Sequence, residues 1–282
     1  MFLFNVLTPS LEMGMITGFL ALGILITFRL TNFTDLTCDG SVLIGASVTA
    51  ALADAHAPPY VALLLSILAG STTGLLTAIF HTELKIPQIF SGILTAVMAY
   101  SVALHIMDAR PVISLVNSPL LFDENFFRFL IPIALYTIIL CWWIFSTQLG
   151  KTLQVAGFNP ILAQQFGKQP RFTVWASLAM SNSLLALNGS LMTTYQQFTD
   201  VNQALGSLLM GLGATILGEK ILPVRNLLGR MIACFIGAIA YRLLITLALN
   251  TTWFNLQPYD INLLMGIILL LSMTKLKKKN TQ

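Results

Sequence analysis

The sequence predicts an all-α integral membrane protein, with about nine transmembrane helices in two inverted-topology repeats. Three observations carry that expectation. Of 282 residues, 56% are hydrophobic and only 9% are charged, whereas a soluble domain carries about 25% charged residues. The apolar stretches are long and continuous, as an α-helix crossing a bilayer core of about 30 Å requires. Outer-membrane strands would instead alternate in segments of about ten residues. Finally, one short motif recurs at two places whose sidedness is opposite.

Spans are expected near 10–28, 41–56, 60–80, 88–106, 127–146, 172–190, 204–222, 227–249 and 259–274, the second and seventh noticeably short. Ser10 with Glu12 reads as the start of the first, Pro58-Pro59 separates the second from the third, and Pro87 opens the fourth. No Lys or Arg precedes Arg29, so the first apolar run is not expected to be a signal peptide.

Nine spans put the termini on opposite sides, and the basic residues choose the orientation. With the N-terminus outside, twelve of the 15 Lys and Arg fall on the cytoplasmic side, from Arg29 and Lys85 to the Lys275–Lys279 tail. Arg110 and Arg128 lie in outer loops, and Arg242 lies inside the eighth span. The positive-inside rule therefore gives N-out, C-in. The net charge of +4 is explained by this topology and an anionic lipid surface, with no nucleic acid implied. The longest external segment, Asp108 to Glu124, is either a plain connector or a meeting place for an external partner.

The repeated motif reads Phe33-Thr34-Asp35, then Gly40-Ser41-Val42-Leu43-Ile44-Gly45, in the first copy. The second reads Phe198-Thr199-Asp200, then Gly206-Ser207-Leu208-Leu209-Met210-Gly211. Each copy precedes one of the two short spans. Spans one to four map onto six to nine, and an offset of five inverts the orientation, as in many transporters. Repeat one covers about 10–106, a linker span about 127–146, and repeat two about 172–274, within a single domain of residues 1–282. Short, Gly-interrupted segments at matching positions point to a translocation pathway, here Asp35, Asp39, Gly40, Ser41, Asp200, Gly206 and Ser207. Charge at such depth is expensive unless it faces water or a partner. The acids either wall a pathway or cap helices at the membrane surface. Arg242 needs a partner as well, and Asp200 or Asp260 could supply it.

One polar run, Gln148 to Lys168, interrupts the apolar sequence after the fifth span. Asn159 is a good N-cap, Pro160 suits the first helical position, and Gly167 can close a helix over about 159–167. Ala163 offers a small surface, and Ile161, Leu162 and Phe166 offer something to bury. This short cytoplasmic helix is shaped for docking to another protein.

Other chemistry is not indicated. Cys38, Cys141 and Cys234 are far apart and lack ligand spacing, so neither metal nor cofactor is expected. His56, His81 and His105 lie near span ends and form no ligand pair. Gly150-Lys151-Thr152 lacks the earlier glycine of a phosphate-binding loop, Phe145 standing there. Ser91-Gly92 lacks the preceding glycine of an intramembrane serine protease, Ile89 taking its place. No enzymatic activity is expected of the chain itself.

Leu149-Gly150 followed by Gly157-x-Asn159-Pro160-x-x-Ala163-x-x-x-Gly167 resembles the cytoplasmic coupling region of bacterial ABC-importer permeases, in particular the branched-chain amino acid and ribose permease family. Gly18-Phe19-Leu20-Ala21-Leu22-Gly23 and Lys85-x-Pro87-Gln88-Ile89-x-x-Gly92-Ile93-Leu94-Thr95 resemble it too. Asp35-Leu36-Thr37-Cys38-Asp39-Gly40-Ser41 looks like a subgroup associated with aromatic amino acids or undefined substrates. The resemblance implies a permease in a bacterial cytoplasmic (inner) membrane that imports an amino acid or similar small polar solute. It implies a second permease subunit, as a homodimer, cytoplasmic ATP-binding subunits that hydrolyse the ATP, and an extracytoplasmic substrate-binding protein. Contact with the ATPase would fall on Gly157, Asn159, Pro160, Ile161, Leu162, Ala163 and Gly167. Many relatives carry an acid between the equivalents of Pro160 and Ala163; Ile161-Leu162 makes this contact more apolar. A stand-alone secondary transporter is the alternative, since the repeat and the acids would suffice for one.

Overall fold

The computed structural model describes residues 2–116, 126–158 and 170–250, with isolated positions between 260 and 270. Its elements are α1 (Phe2–Ile24, continued by a π-helical stretch Leu25–Leu30), α2 (Cys38–Asp54), α3 (Pro59–Thr82), α4 (Gln88–Ile106), β1 (Val112–Ser114) and α5 (Phe126–Ser146). They continue with α6 (Gln148–Phe158), α7 (Pro170–Gln196), β2 (Phe198–Asp200), α8 (Ser207–Ile221) and α9 (Leu227–Asn250). The first eight expected spans each fall on a helix; most of the ninth lies outside the described residues.

One expectation is corrected. Ser10 does not start a helix: α1 already runs from Phe2 and carries Pro9 within it. A proline near the amino end removes one backbone hydrogen bond, and the apolar residues on both sides carry the helix past it. Within the polar run, Gln148–Phe158 forms a further helix, α6, ahead of the expected docking helix.

Among the described residues, five helical segments are long and apolar enough to cross a membrane: Leu7–Leu30, Pro59–Thr82, Gln88–Ile106, Phe126–Ser146 and Leu227–Leu249. The longest helix, the 27-residue α7, is not among them because it is too polar. It packs against α3, α2 and α1 and buries Ser177, Ser181, Asn182, Asn188, Ser190 and Thr193. Polar side chains in a membrane helix turn toward protein and find partners there. Thus Ser181 Oγ donates to the Gly23 carbonyl (2.8 Å) and Asn188 Nδ2 to the Ile16 carbonyl (2.8 Å), both on α1.

Lipid-buried helices gain little from the hydrophobic effect against one another, so small residues that admit close backbone approach hold them together. A Cβ on Gly45 or Gly189 would collide with the Ala186 or Val42 carbonyl across the α2–α7 contact. One on Gly218 or Gly237 would strike Ala233 or Ala214 across the α8–α9 contact.

β1 and β2 form an antiparallel two-stranded sheet, with Ile113 opposite Thr199. Part of the long segment after α4 is thereby tied to the start of the second repeated motif. Arg110 pairs with Asp54 at the same end (2.7 Å). Arg29 and Arg230 both reach Glu219 (2.7 and 3.2 Å), and Arg171 reaches Glu83 (3.1 Å). Each pair joins ends that an alternating topology puts on one side.

Candidate functional site

The two short helices position the site. α2 has 17 residues and α8 has 15, so at 1.5 Å per residue they span about 25 and 22 Å, less than the core of a bilayer. Each begins within the bundle. A Cβ on Gly40 would meet Ala96 and Ala99 in the middle of α4, and one on Gly211 would meet Leu20 and Ile24 of α1. The chain therefore travels inward as a non-helical segment before each helix starts, and the two helix N-termini meet.

Asp39, in the first turn of α2, makes the junction. Ser207 Oγ and the Leu208 N–H donate to its Oδ1 (2.6 and 3.0 Å), and the Gly206 N–H donates to its Oδ2 (3.3 Å). One carboxylate thus caps the amino end of α8 from another helix while sitting at the positive end of its own. Gly206 has φ 83°, a left-handed conformation open to glycine and strained for most other residues. That turn aims the N–H groups of residues 206 and 208 at Asp39.

On one side of this junction lies a cavity of about 420 Å³. Asp39 and Gly40, Val97, Tyr100 and Ser101 of α4, and Leu205 are among its walls. On the other side is a closed polar network. Asn182 Nδ2 donates to Asp35 Oδ2 (2.8 Å), the Thr37 N–H donates to Asp35 Oδ1 (2.8 Å), and Ser41 Oγ donates to Asn182 Oδ1 (2.6 Å). The hydroxyls of Ser41 and Thr73 lie 2.6 Å apart, and those of Thr37 and Thr77 lie 2.7 Å apart. Asp35 is fully buried between α1 and α2. A buried carboxyl is costly unless its oxygens find donors, and Thr37 and Asn182 supply one to each.

The seven residues expected on the pathway therefore divide. Asp39, Gly40, Gly206 and Ser207 come together at the junction. Asp35 and Ser41 belong to the buried network, and Asp200 sits in the sheet, its Oδ1 accepting from the Asn202 N–H (2.8 Å). Sequence reasoning did not single out Asn182, Thr73, Thr77 or Tyr100. A carboxamide in the middle of an expected span was the available signal for Asn182.

Among the described residues, Asp200 forms no ion pair with Arg242. Tyr195 and Tyr241 lie near Arg242, and Tyr195 donates its hydroxyl to Glu12 (2.9 Å).

Gly157 is the one residue of the expected ATPase contact that is described. It packs on the Thr31 backbone, where a Cβ would collide, and its carbonyl accepts from Asn32 Nδ2 (3.4 Å). A cavity of about 320 Å³ opens beside it, between Asn32, Phe33, His81, Ala156 and Arg171. Asn159, Pro160, Ile161, Leu162, Ala163 and Gly167 lie outside the described residues.

Apolar helices around a central polar one, with two short helices meeting beside a cavity, define a multi-pass membrane permease. Residues 6–273 match the family described as branched-chain amino acid transport system / permease component, and the chain belongs to that family. Its family makes it the permease component of a transport system. It is 32% identical to a tyrosine transport system permease protein of Clostridioides difficile (strain R20291), over 94% of this chain and 88% of the relative. It is also 32% identical to an uncharacterized protein of Rickettsia prowazekii (strain Madrid E), over 98% and 99% of the two chains. Among solved structures, PsaBC from Streptococcus pneumoniae in complex with Fab shares the fold. It has a TM-score of 0.55 at 16% identity and covers 96% of this chain and 90% of its own.

Proposed function

We propose that the chain lines the translocation pathway of an amino acid importer, and that the pathway runs past the junction of α2 and α8 at Asp39, Gly40, Gly206 and Ser207. The observation that carries this reading is the cavity at that junction, where two inward-running non-helical segments and two short helices meet. Irregular backbone at membrane depth is tolerated where it is buried in protein or lines a water-filled cavity. The relative named for tyrosine transport supports an aromatic amino acid as cargo.

Two features support the inverted repeat. Asp35 and Asp200 form the same turn, each accepting from the N–H two residues on at 2.8 Å. The packing also exchanges partners: α2 contacts α3 and α7, as α8 contacts α9 and α1, and α3 lies on α7 as α9 lies on α1. On this reading residues 10–106 and 172–274 are the two halves of one domain, joined by α5.

The working unit is a homodimer in the bacterial cytoplasmic membrane, N-terminus outside and C-terminus inside. Two ATP-binding subunits dock on the segment from Gly157 to Gly167, and a binding protein delivers cargo to the outer face. α6 packs on α7 of the second half and, through Gly157, on Thr31 and Asn32 of the first, so a push on the segment that follows α6 reaches both halves. ATP hydrolysis belongs to the partner subunits, and binding free energy there biases which side the pathway faces.

Proteoliposomes holding the permease, its ATPase and its binding protein test this. L-tyrosine uptake should require ATP, and deletion of residues 161–166 should abolish it. Uptake driven by an ion gradient without the ATPase would make the chain a secondary transporter instead.

A further inference from the structure

We propose that Asp39 is the charge-selecting residue of the pathway, admitting solutes that carry a positively charged amino group and turning away anions. The proposal rests on the cavity at the junction being the pathway. Asp39 supplies the one charge among the described residues that line this cavity; the other walls include Leu43, Ala96, Val97, Tyr100 and Leu205. Its carboxylate is half-buried. Oδ1 accepts two hydrogen bonds, but Oδ2 accepts one long one, from the Gly206 N–H at 3.3 Å. A carboxylate has about four lone-pair sites, so Oδ2 keeps capacity for a donor arriving from the cavity.

The surroundings give that capacity a sign. Close to apolar walls the effective dielectric is well below that of water, which strengthens attraction for an ammonium and repulsion of a second carboxylate. The apolar walls and the Tyr100 ring then favour an organic cation or zwitterion with an apolar body over a bare inorganic ion. The backbone N–H groups of residues 206 and 208 would otherwise face the junction as an anion site; Asp39 occupies them. A neutral residue at position 39 would leave these donors available and reverse the preference.

The test uses the purified full-length permease in nanodiscs and saturation-transfer NMR with three probes of one aromatic skeleton. These are L-tyrosine, tyramine (ammonium only) and 3-(4-hydroxyphenyl)propionate (carboxylate only). The wild-type protein should transfer saturation to L-tyrosine and tyramine and not to the propionate. Asp39→Asn should lose the tyramine signal and gain the propionate signal. Val97→Trp, which fills the cavity without touching the α8 cap, should lose both wild-type signals and gain none for the propionate. An equal response of the wild type to propionate and tyramine would overturn the proposal, whether or not Asp39→Asn folds. So would an unchanged order in a folded Asp39→Asn protein. If the order holds while tyrosine uptake in the complete system fails, the cargo assignment falls and charge selection by Asp39 stands.

Discussion

Replacing Asn182 by Ala probes the buried network that joins α7 to the start of α2. The substitution removes the donor to Asp35 Oδ2 (2.8 Å) and the acceptor of Ser41 Oγ (2.6 Å). A hydrogen bond to a charged group is worth about 1.5–3 kcal/mol, whereas interhelical bonds in membrane proteins average about 0.6 kcal/mol. Adding the space left by the carboxamide, the expected destabilisation is about 2–4 kcal/mol, the upper range coming from a fully buried carboxyl that loses a partner. Asp35→Asn should lose less, about 1–2 kcal/mol: the introduced amide accepts from the Thr37 N–H and donates to the oxygen of a turned Asn182, which costs Asn182 its own bond to the Leu178 carbonyl (2.9 Å). SDS titration in mixed micelles, followed by Trp fluorescence, measures both. Trp175 is a built-in reporter, since its Nε1 donates to Thr82 Oγ1 across the α3–α7 contact (2.8 Å). Ser183→Ala is the control, because Ser183 bonds within its own helix, to the Met180 carbonyl. If Asn182→Ala were no more damaging than Ser183→Ala, the network would contribute nothing to the fold and the estimate would be refuted.

Further substitutions test other parts of the structure. Gly189→Leu should prevent stable folding by driving α2 from α7, whereas Gly266→Ala, with nothing among the described residues within 4 Å of the new Cβ, should leave the monodisperse yield unchanged. Glu219→Gln removes the shared partner of Arg29 and Arg230; a partly exposed pair of this kind is worth about 1 kcal/mol or less, so a small shift that shrinks at high salt is expected in the same titration. Gly157→Val should displace α6 from Thr31 and cut co-purification of the ATP-binding subunit, while leaving saturation transfer at the distant Asp39 cavity intact.

The legible part of the fold was the part governed by single-helix rules. Hydropathy located the helices because lipid exposure demands an apolar run, and Pro59 and Gln88 begin α3 and α4 next to the prolines that signalled them. Ser10 misled because a cap is a local signal, overridden where apolar residues continue on both sides. α6 was missed because polar helices carry no hydropathy signature. The repeated motif did lead to the α2–α8 junction, since Gly and Asp at a short helix start mark an unusual backbone in either copy. What it could not convey is that Asp39 caps the other copy's helix, because that bond joins residues 167 to 169 positions apart. The same holds for Asn182, whose partners Asp35 and Ser41 stand 147 and 141 positions away.

The most direct test of the pathway is thiol labelling of Leu205→Cys and Tyr100→Cys at the cavity, compared with Leu68→Cys on an exposed apolar face. The native Cys38, Cys141 and Cys234 are buried and give a low background. In the complete transporter, a membrane-impermeant cationic thiol reagent applied from outside should modify the two cavity positions in one nucleotide state and spare them in the other. Leu68→Cys should be unreactive in both. Labelling of Leu205→Cys and Tyr100→Cys that is indifferent to ATP, or as slow as that of Leu68→Cys, would contradict a pathway through the α2–α8 junction.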